Sequence, residues 1–187
     1  MPDFESLNNQ FLIAMPALND PNFSRTVTLI CEHTPEGALG LTINRQLNLP
    51  IESVFRELEI EVSNFEQAGS YVYLGGPVQE NRGFVLHKPV GKWESTLLIT
   101  DELGLSTSRD ILQAMARGEG PERSILALGY AGWGPGQLEF EISQNTWLSG
   151  PADHSIIFEM DLELRWQAAA QSMGVDLNSI HGEAGHA

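Results

Sequence analysis

The chain has 187 residues, 42% hydrophobic and 19% charged, which suits one globular domain whose core needs neither disulfides nor metal. Its 25 acidic residues against 10 basic ones give a formal charge of −15, a field that repels phosphate backbones and disfavours direct nucleic-acid binding. A single cysteine, Cys31, excludes an intrachain disulfide; the opening "MPDFESLNNQFLIAMPAL" has two acids, no basic residue and no long apolar run, so neither a secretory signal nor a membrane span is read there and a cytoplasmic protein is expected.

"QFLIAMPAL" begins with a short apolar run cut by Pro16, and "NDPNFSR" has the composition of a turn. "TVTLICEH" (Thr26–His33) is β-branched and apolar on both faces, as in a buried strand. "TPEG" turns the chain, and "ALGLTINR" (Ala38–Arg45) completes a hairpin. "LPIESVFRELEI" places Ile51, Val54, Phe55 and Leu58 at i, i+3, i+4 and i+7, one face of a helix. The alternating "ELEIEV" that follows reads as a solvated face. "GSYVYLGGPV" and "RGFVLHKPV" read as two strands around a Gly-Gly-Pro turn, and "WESTLLIT" as another strand.

"LSTSRDILQAMARGEGP" predicts a helix: Thr107 and Asp110 suit a capping box, Ile111, Leu112 and Met115 form an apolar face, and Gly118 ends it. "RSILALGYAG" returns as a strand, so strand, helix and strand predict a crossover with two parallel strands. Gly129, Gly132, Gly134 and Gly136 then suggest a glycine-rich turn into a helix, with Pro135 in its first turn and Asn145 near its end. The alternation of Leu138, Phe140 and Ile142 fits a strand equally well. Ser155–Phe158 reads as a short strand, and Leu162, Trp166, Ala169 and Met173 as a helical stripe stopped by Gly174. From about residue 181 a disordered tail is expected. The sum is an α+β domain shading into α/β over residues 1–187, a mixed sheet with helices packed against it.

Three blocks carry a family resemblance: "NFSRTVTLICEHTPEGALGLTINR", "LGGPVQENRGFVLH" and "LGYAGWGPGQLEFEISQNTWL". Their order resembles the hallmark blocks of the bacterial YqgE/AlgH family, from about Phe11 to Met173. The resemblance implies a mixed, barrel-like sheet and, by association with AlgH members, regulation of transcription. It carries over no catalytic residues. The family often reads "NRP" after the second strand, whereas Gln46 follows Arg45 here.

On their own chemistry, several residues are candidates for a ligand or partner surface. Cys31 and His33 are two apart on a strand, hence on one face, and a thiol beside a base could be nucleophilic; a buried structural cysteine is the alternative. Asn44 and Arg45 end a strand where a guanidinium fork could hold a carboxylate or phosphate, or pair with a surface acid. Gly75 and Gly76 permit either a tight turn or close backbone contact. Tyr130, Gly132, Trp133 and Gly134 make either an aromatic plug against the sheet, with Trp93 and Trp147 as possible companions, or a platform for a partner. The glycine block lacks the Lys-Ser/Thr of a nucleotide loop and the third glycine of a dinucleotide fingerprint. No Cys/His spacing suits a metal, no G-x-S-x-G elbow occurs, and neither metal nor cofactor is expected. Glu139 and Glu141 are read as solvated. The sequence thus favours a non-enzymatic regulatory or interaction protein acting through a protein or small-molecule partner. The alternative is an anion-binding protein or a thiol-dependent enzyme using Cys31.

Overall fold

The computed structural model describes residues 4–177, so the tail expected from about 181 lies outside the described residues. The strands are β1 (Gln10–Ala14), β2 (Val27–Thr34), β3 (Gly37–Thr42), β4 (Gln46–Pro50), β5 (Tyr71–Leu74), β6 (Val78–Lys88), β7 (Thr96–Leu98), β8 (Gly104–Ser106), β9 (Arg123–Trp133) and β10 (Trp147–Pro151). The helices are α1 (Ile51–Glu57), α2 (Arg109–Ala116), α3 (Gln137–Ser143), α4 (His154–Phe158) and α5 (Arg165–Ser172), the last entered through a 3-10 turn at Leu162–Leu164.

All ten strands join one curled, mainly antiparallel sheet ordered β10-β1-β2-β3-β9-β6-β8-β7, with β4 and β5 branching from β9. This is the α+β, barrel-like architecture expected. The long strand β9 organises it, because it changes partners along its length. Arg123–Tyr130 pair with β6, while Ala131–Trp133 pair with β3. A sheet that hands over partners in this way must curl.

Helices cover the curl in three places. One core gathers Phe11, Leu29, Leu41, Leu86 and Ala127 under Ile156, Ile157, Trp166 and Ala169 of α4 and α5. A second joins Ile51 and Phe55 of α1 to Ile111 and Met115 of α2 over Val72 and Leu126. The third sets Leu138 of α3 on Leu12, Ile30, Trp133 and Trp147.

Several local expectations are corrected. The strand–helix–strand crossover starts from β8 and not from the "WESTLLIT" strand; β8 and β9 both run antiparallel to β6 and so are parallel as expected, with β6 between them, and the strand paired directly in parallel with β9 is β5, Tyr73 opposite Ala127. Ser155–Phe158 is helical, because Asp153 accepts from the Ser155 amide and caps a short turn that an apolar run alone does not reveal. α2 begins at Ser108 without a capping box: Asp110 accepts instead from the amides of Glu94 and Ile111. Gly118, at φ +78°, does end it. The glycine-rich turn is mostly strand, since β9 runs to Trp133 and only Gly134–Gly136 turn. Pro135 accordingly precedes the helix, whose N-cap is Gly136 at φ +72°.

Candidate functional site

The glycines of two hallmark blocks meet each other. A Cβ on Gly76 would sit 2.1 Å from the Tyr130 carbonyl carbon, and one on Gly75 or Gly129 would sit 2.4 Å or 2.3 Å from the carbonyl oxygen of Gly129 or Gly76, respectively. The segment after β5 therefore crosses β9 backbone against backbone, pinned by the Gly75 amide donating to Leu128 and its carbonyl accepting from Thr42. Arg45 lies beside this crossing, where it, Gly76 and Glu80 border a pit of about 10 Å³, enough for a single water.

Arg45 spends its fork inside the chain, donating to the carbonyls of Pro21, Asn22 and Ser24. Asn44 accepts from the Val27 amide and donates to the Arg25 carbonyl. Together they fasten the 20–25 loop to the end of β3. The three internal bonds of Arg45 take the place of the anion fork considered from sequence.

Cys31 and His33 do not share a face. Ile30 pairs with Gly40 and Glu32 with Leu39, so Cys31 is the extra residue of a bulge, and a bulge reverses the alternation beyond it. Cys31 joins Leu29 and Leu41 in the core, fully buried, and burial reinforced by Glu32 pushes its thiol far up. A buried thiol held protonated and turned away from His33 is not poised as the nucleophile considered from sequence. His33 faces the other way: Nδ1 accepts from the Leu7 amide at 3.0 Å, which leaves Nε2 to donate to Glu139 at 2.7 Å.

Glu139 and Glu141, read as solvated, are both engaged. Glu141 Oε1 accepts from the indoles of Trp133 and Trp147 at 3.1 and 3.0 Å, and the two rings meet edge to face. Trp133 is a plug with 7% exposure, Trp147 joins it, and Trp93 packs instead with the α1–α2 core. Tyr130 is half-buried, edge-on to Phe84. Gly132 lies against its ring, while the Gly134 amide donates to Gln137. Carboxylates on α3 and this internal cap leave no seat for an anion at its start.

A buried Ser–His pair also exists. His87 Nδ1 donates to the Pro89 carbonyl, so its Nε2 accepts from Ser106 at 2.7 Å, and Thr96 completes the chain at 2.8 Å. Such a pair activates a nucleophile only where substrate can reach it; both residues here have no exposed surface. Burial holds His87 below its ordinary value. Folding therefore favours the neutral ring, and stability should be full above about pH 6.5 and lost as pH falls toward the folded-state value. Urea midpoints from pH 7.5 to 5 should decline, and less steeply in H87Q; equal slopes would show that His87 is not the linked group. His154 is held low as well, by burial and by Lys88, and adds to the slope.

With the hallmark residues occupied in the scaffold, the unspent feature is the stretch Glu57–Ser63. α1 ends at Glu57, and Glu59 reverses the chain at φ +57°. That reversal breaks the alternation, so Ile60 is buried while Leu58 and Val62 are 37% and 43% exposed, a correction to the helix face that included Leu58. The stretch is tied to α2 by Ser63 and Asn64 amides on the Ala116 carbonyl, and by Arg109 donating to the Leu58 carbonyl. Between them lies a groove of about 440 Å³ bordered by Glu59, Glu61, Ser63, Gln113 and Arg117. Glu57, Glu59 and Glu61 are all exposed. "ELEIEV" was the signal in the sequence, hidden because its alternation looks like an ordinary solvated edge.

Among the described residues, no three His, Cys, Asp or Glu gather to hold a metal, and no helix is long and apolar enough to cross a membrane.

Residues 11–178 match the AlgH-like family. A UPF0301 protein of Nitrosococcus oceani is 52% identical over 179 residues, covering 96% of each chain. Another, of Methylococcus capsulatus, is 52% identical over 182 residues and 97% of each. The solution structure of the AlgH protein from Pseudomonas aeruginosa superimposes with a TM-score of 0.80 at 46% identity over the whole of both chains. A crystal structure from Corynebacterium diphtheriae shares the fold at 22% identity, with a TM-score of 0.71 over 92% of this chain and 90% of that one. The chain belongs to the AlgH-like family.

Proposed function

We propose that this AlgH-like protein works without catalysis of its own, as a cytoplasmic regulatory or interaction protein that docks a basic, amphipathic segment of a partner protein and does not bind DNA directly. One observation carries the reading: Leu58 and Val62 stand exposed among Glu57, Glu59 and Glu61, beside a groove that Glu59 and Glu61 line, in a chain of charge −15. Apolar side chains supply the affinity of such a surface, and the acids supply steering and partner choice. The small residual role for Arg117, the basic group at the rim, follows from its pairing with Glu119 at 3.1 Å.

Pull-downs from cell lysate, with wild type and L58S/V62S side by side, test the proposal. A basic partner should be recovered by the wild type, lost from the variant and weakened by added salt. Recovery that ignores both the substitution and the salt, or a gel shift with DNA at low salt that a scrambled sequence does not share, would sink it.

A further inference from the structure

A second cleft, of about 610 Å³, opens where the ends of β6 and β9 meet the β10–α4 junction. Lys88 and Arg123 line it and are register partners across the β6–β9 pair. Like charges directly opposite each other weaken an antiparallel pair. Two carboxylates from outside both strands offset them: Glu102 lies 3.3 Å from Lys88, and Glu159 pairs with Arg123. Glu102 is exposed and Glu159 half-exposed, so both pairs are weak and open to exchange.

His154 lies beside the cationic side. Its Nε2 meets Asn9 Oδ1 at 2.8 Å and so donates, which leaves the Nδ1 lone pair facing Lys88 Nζ at 3.4 Å. The neutral ring thereby holds the ammonium in place. Asp153, the acid in the wall, is turned onto Ser155, accepting from its amide at 3.0 Å and its hydroxyl at 2.7 Å. The Ser172 hydroxyl is spent on the Ala169 carbonyl. Recognition therefore falls to the two cations, while Met173 and Ala152 offer an apolar wall.

We infer that this cleft binds a small phosphate-bearing organic molecule, with Arg123 and Lys88 taking the phosphate in place of Glu159 and Glu102. The guanidinium fork matches two phosphate oxygens and the ammonium acts as a point charge beside it. A bare phosphate would leave most of the cleft empty; a volume of this size suits a ligand with an organic body against Met173.

Titration calorimetry on the full chain, with inorganic phosphate and with glucose 6-phosphate at matched ionic strength, tests the site. Both probes should saturate, and the sugar phosphate should bind more tightly. K88M/R123M should weaken binding about tenfold or more, the worth of a charge-assisted hydrogen bond. E102Q/E159Q, which removes only the competing carboxylates, should bind more tightly than wild type. Absence of saturable binding to the wild type, undiminished binding by K88M/R123M, or unchanged affinity in E102Q/E159Q overturns the inference. If K88M/R123M fails to fold, the last comparison still decides.

Discussion

Gly76→Ala is expected to destabilise the protein by about 3 kcal/mol, the upper part of the range for forcing atoms into a packed interior. In a chain of this length that lowers the melting temperature by roughly 6–12 °C. The size of the effect follows from what the new methyl would meet. The Tyr130 carbonyl carbon and oxygen at 2.1 and 2.2 Å and the Ala131 amide nitrogen at 2.4 Å are all backbone, fixed in β9 between two neighbouring strands. No side chain can swing away to make room. Gly83→Ala is the control, because its nearest neighbours are leucine methyls at 3.9 Å. It should be neutral or stabilise by up to about 1 kcal/mol through the unfolded chain. Gly129→Ala strikes the same crossing from the other side, at φ +79° and 2.3 Å from the Gly76 oxygen. The double variant should therefore lose less than the two single losses added. Urea denaturation of all four proteins measures this; a G76A midpoint equal to that of wild type would show that the crossing relaxes freely.

Glu141→Leu should cost about 2 kcal/mol, since each polar group left buried and unpaired costs about 1–3 kcal/mol and half-exposure at this site lets water recover part of it. Two indole N–H groups depend on one carboxylate oxygen, and Gln137 donates to the other at 2.9 Å. Trp133 and Trp147 are too buried, at 7% and 4%, to find solvent easily. Glu141→Gln keeps an acceptor oxygen and should cost under about 1 kcal/mol, helped by relief of self-repulsion at net charge −15. Tryptophan fluorescence reports the same event, because the leucine variant alters the surroundings of two of the four indoles. Identical emission and identical stability in E141L would mean that the indoles do not rely on Glu141.

The regular parts of the fold were legible because their signal is local. The spacing of Ile111 and Met115 on α2, the β2–β3 hairpin around its turn, and the Trp166–Ala169 stripe on α5 each reside in one short continuous stretch of chain. The short strands β8 and β10 escaped notice, being too brief for periodicity to show. Ser155–Phe158 reads as a strand for the same reason, and one cap at Asp153 makes it a helix instead.

The site residues depended on partners distant in sequence. By itself the sequence determined the α+β class, the acidic surface charge and, through three ordered blocks, family membership. Only the tertiary structure decided what those blocks do. One bulged residue at Cys31 sent His33 to the opposite face from the thiol, and no period-two pattern reports an extra residue. Gly129, read as part of a glycine-rich turn, lies with Gly75 and Gly76 where β9 and the segment after β5 come too close for a side chain. Lys88 and Arg123, 35 positions apart by their numbers, become neighbours only through strand register. Local propensity writes itself into adjacent residues, whereas register and crossing are properties of pairs of segments, and those exist only once the chain has folded.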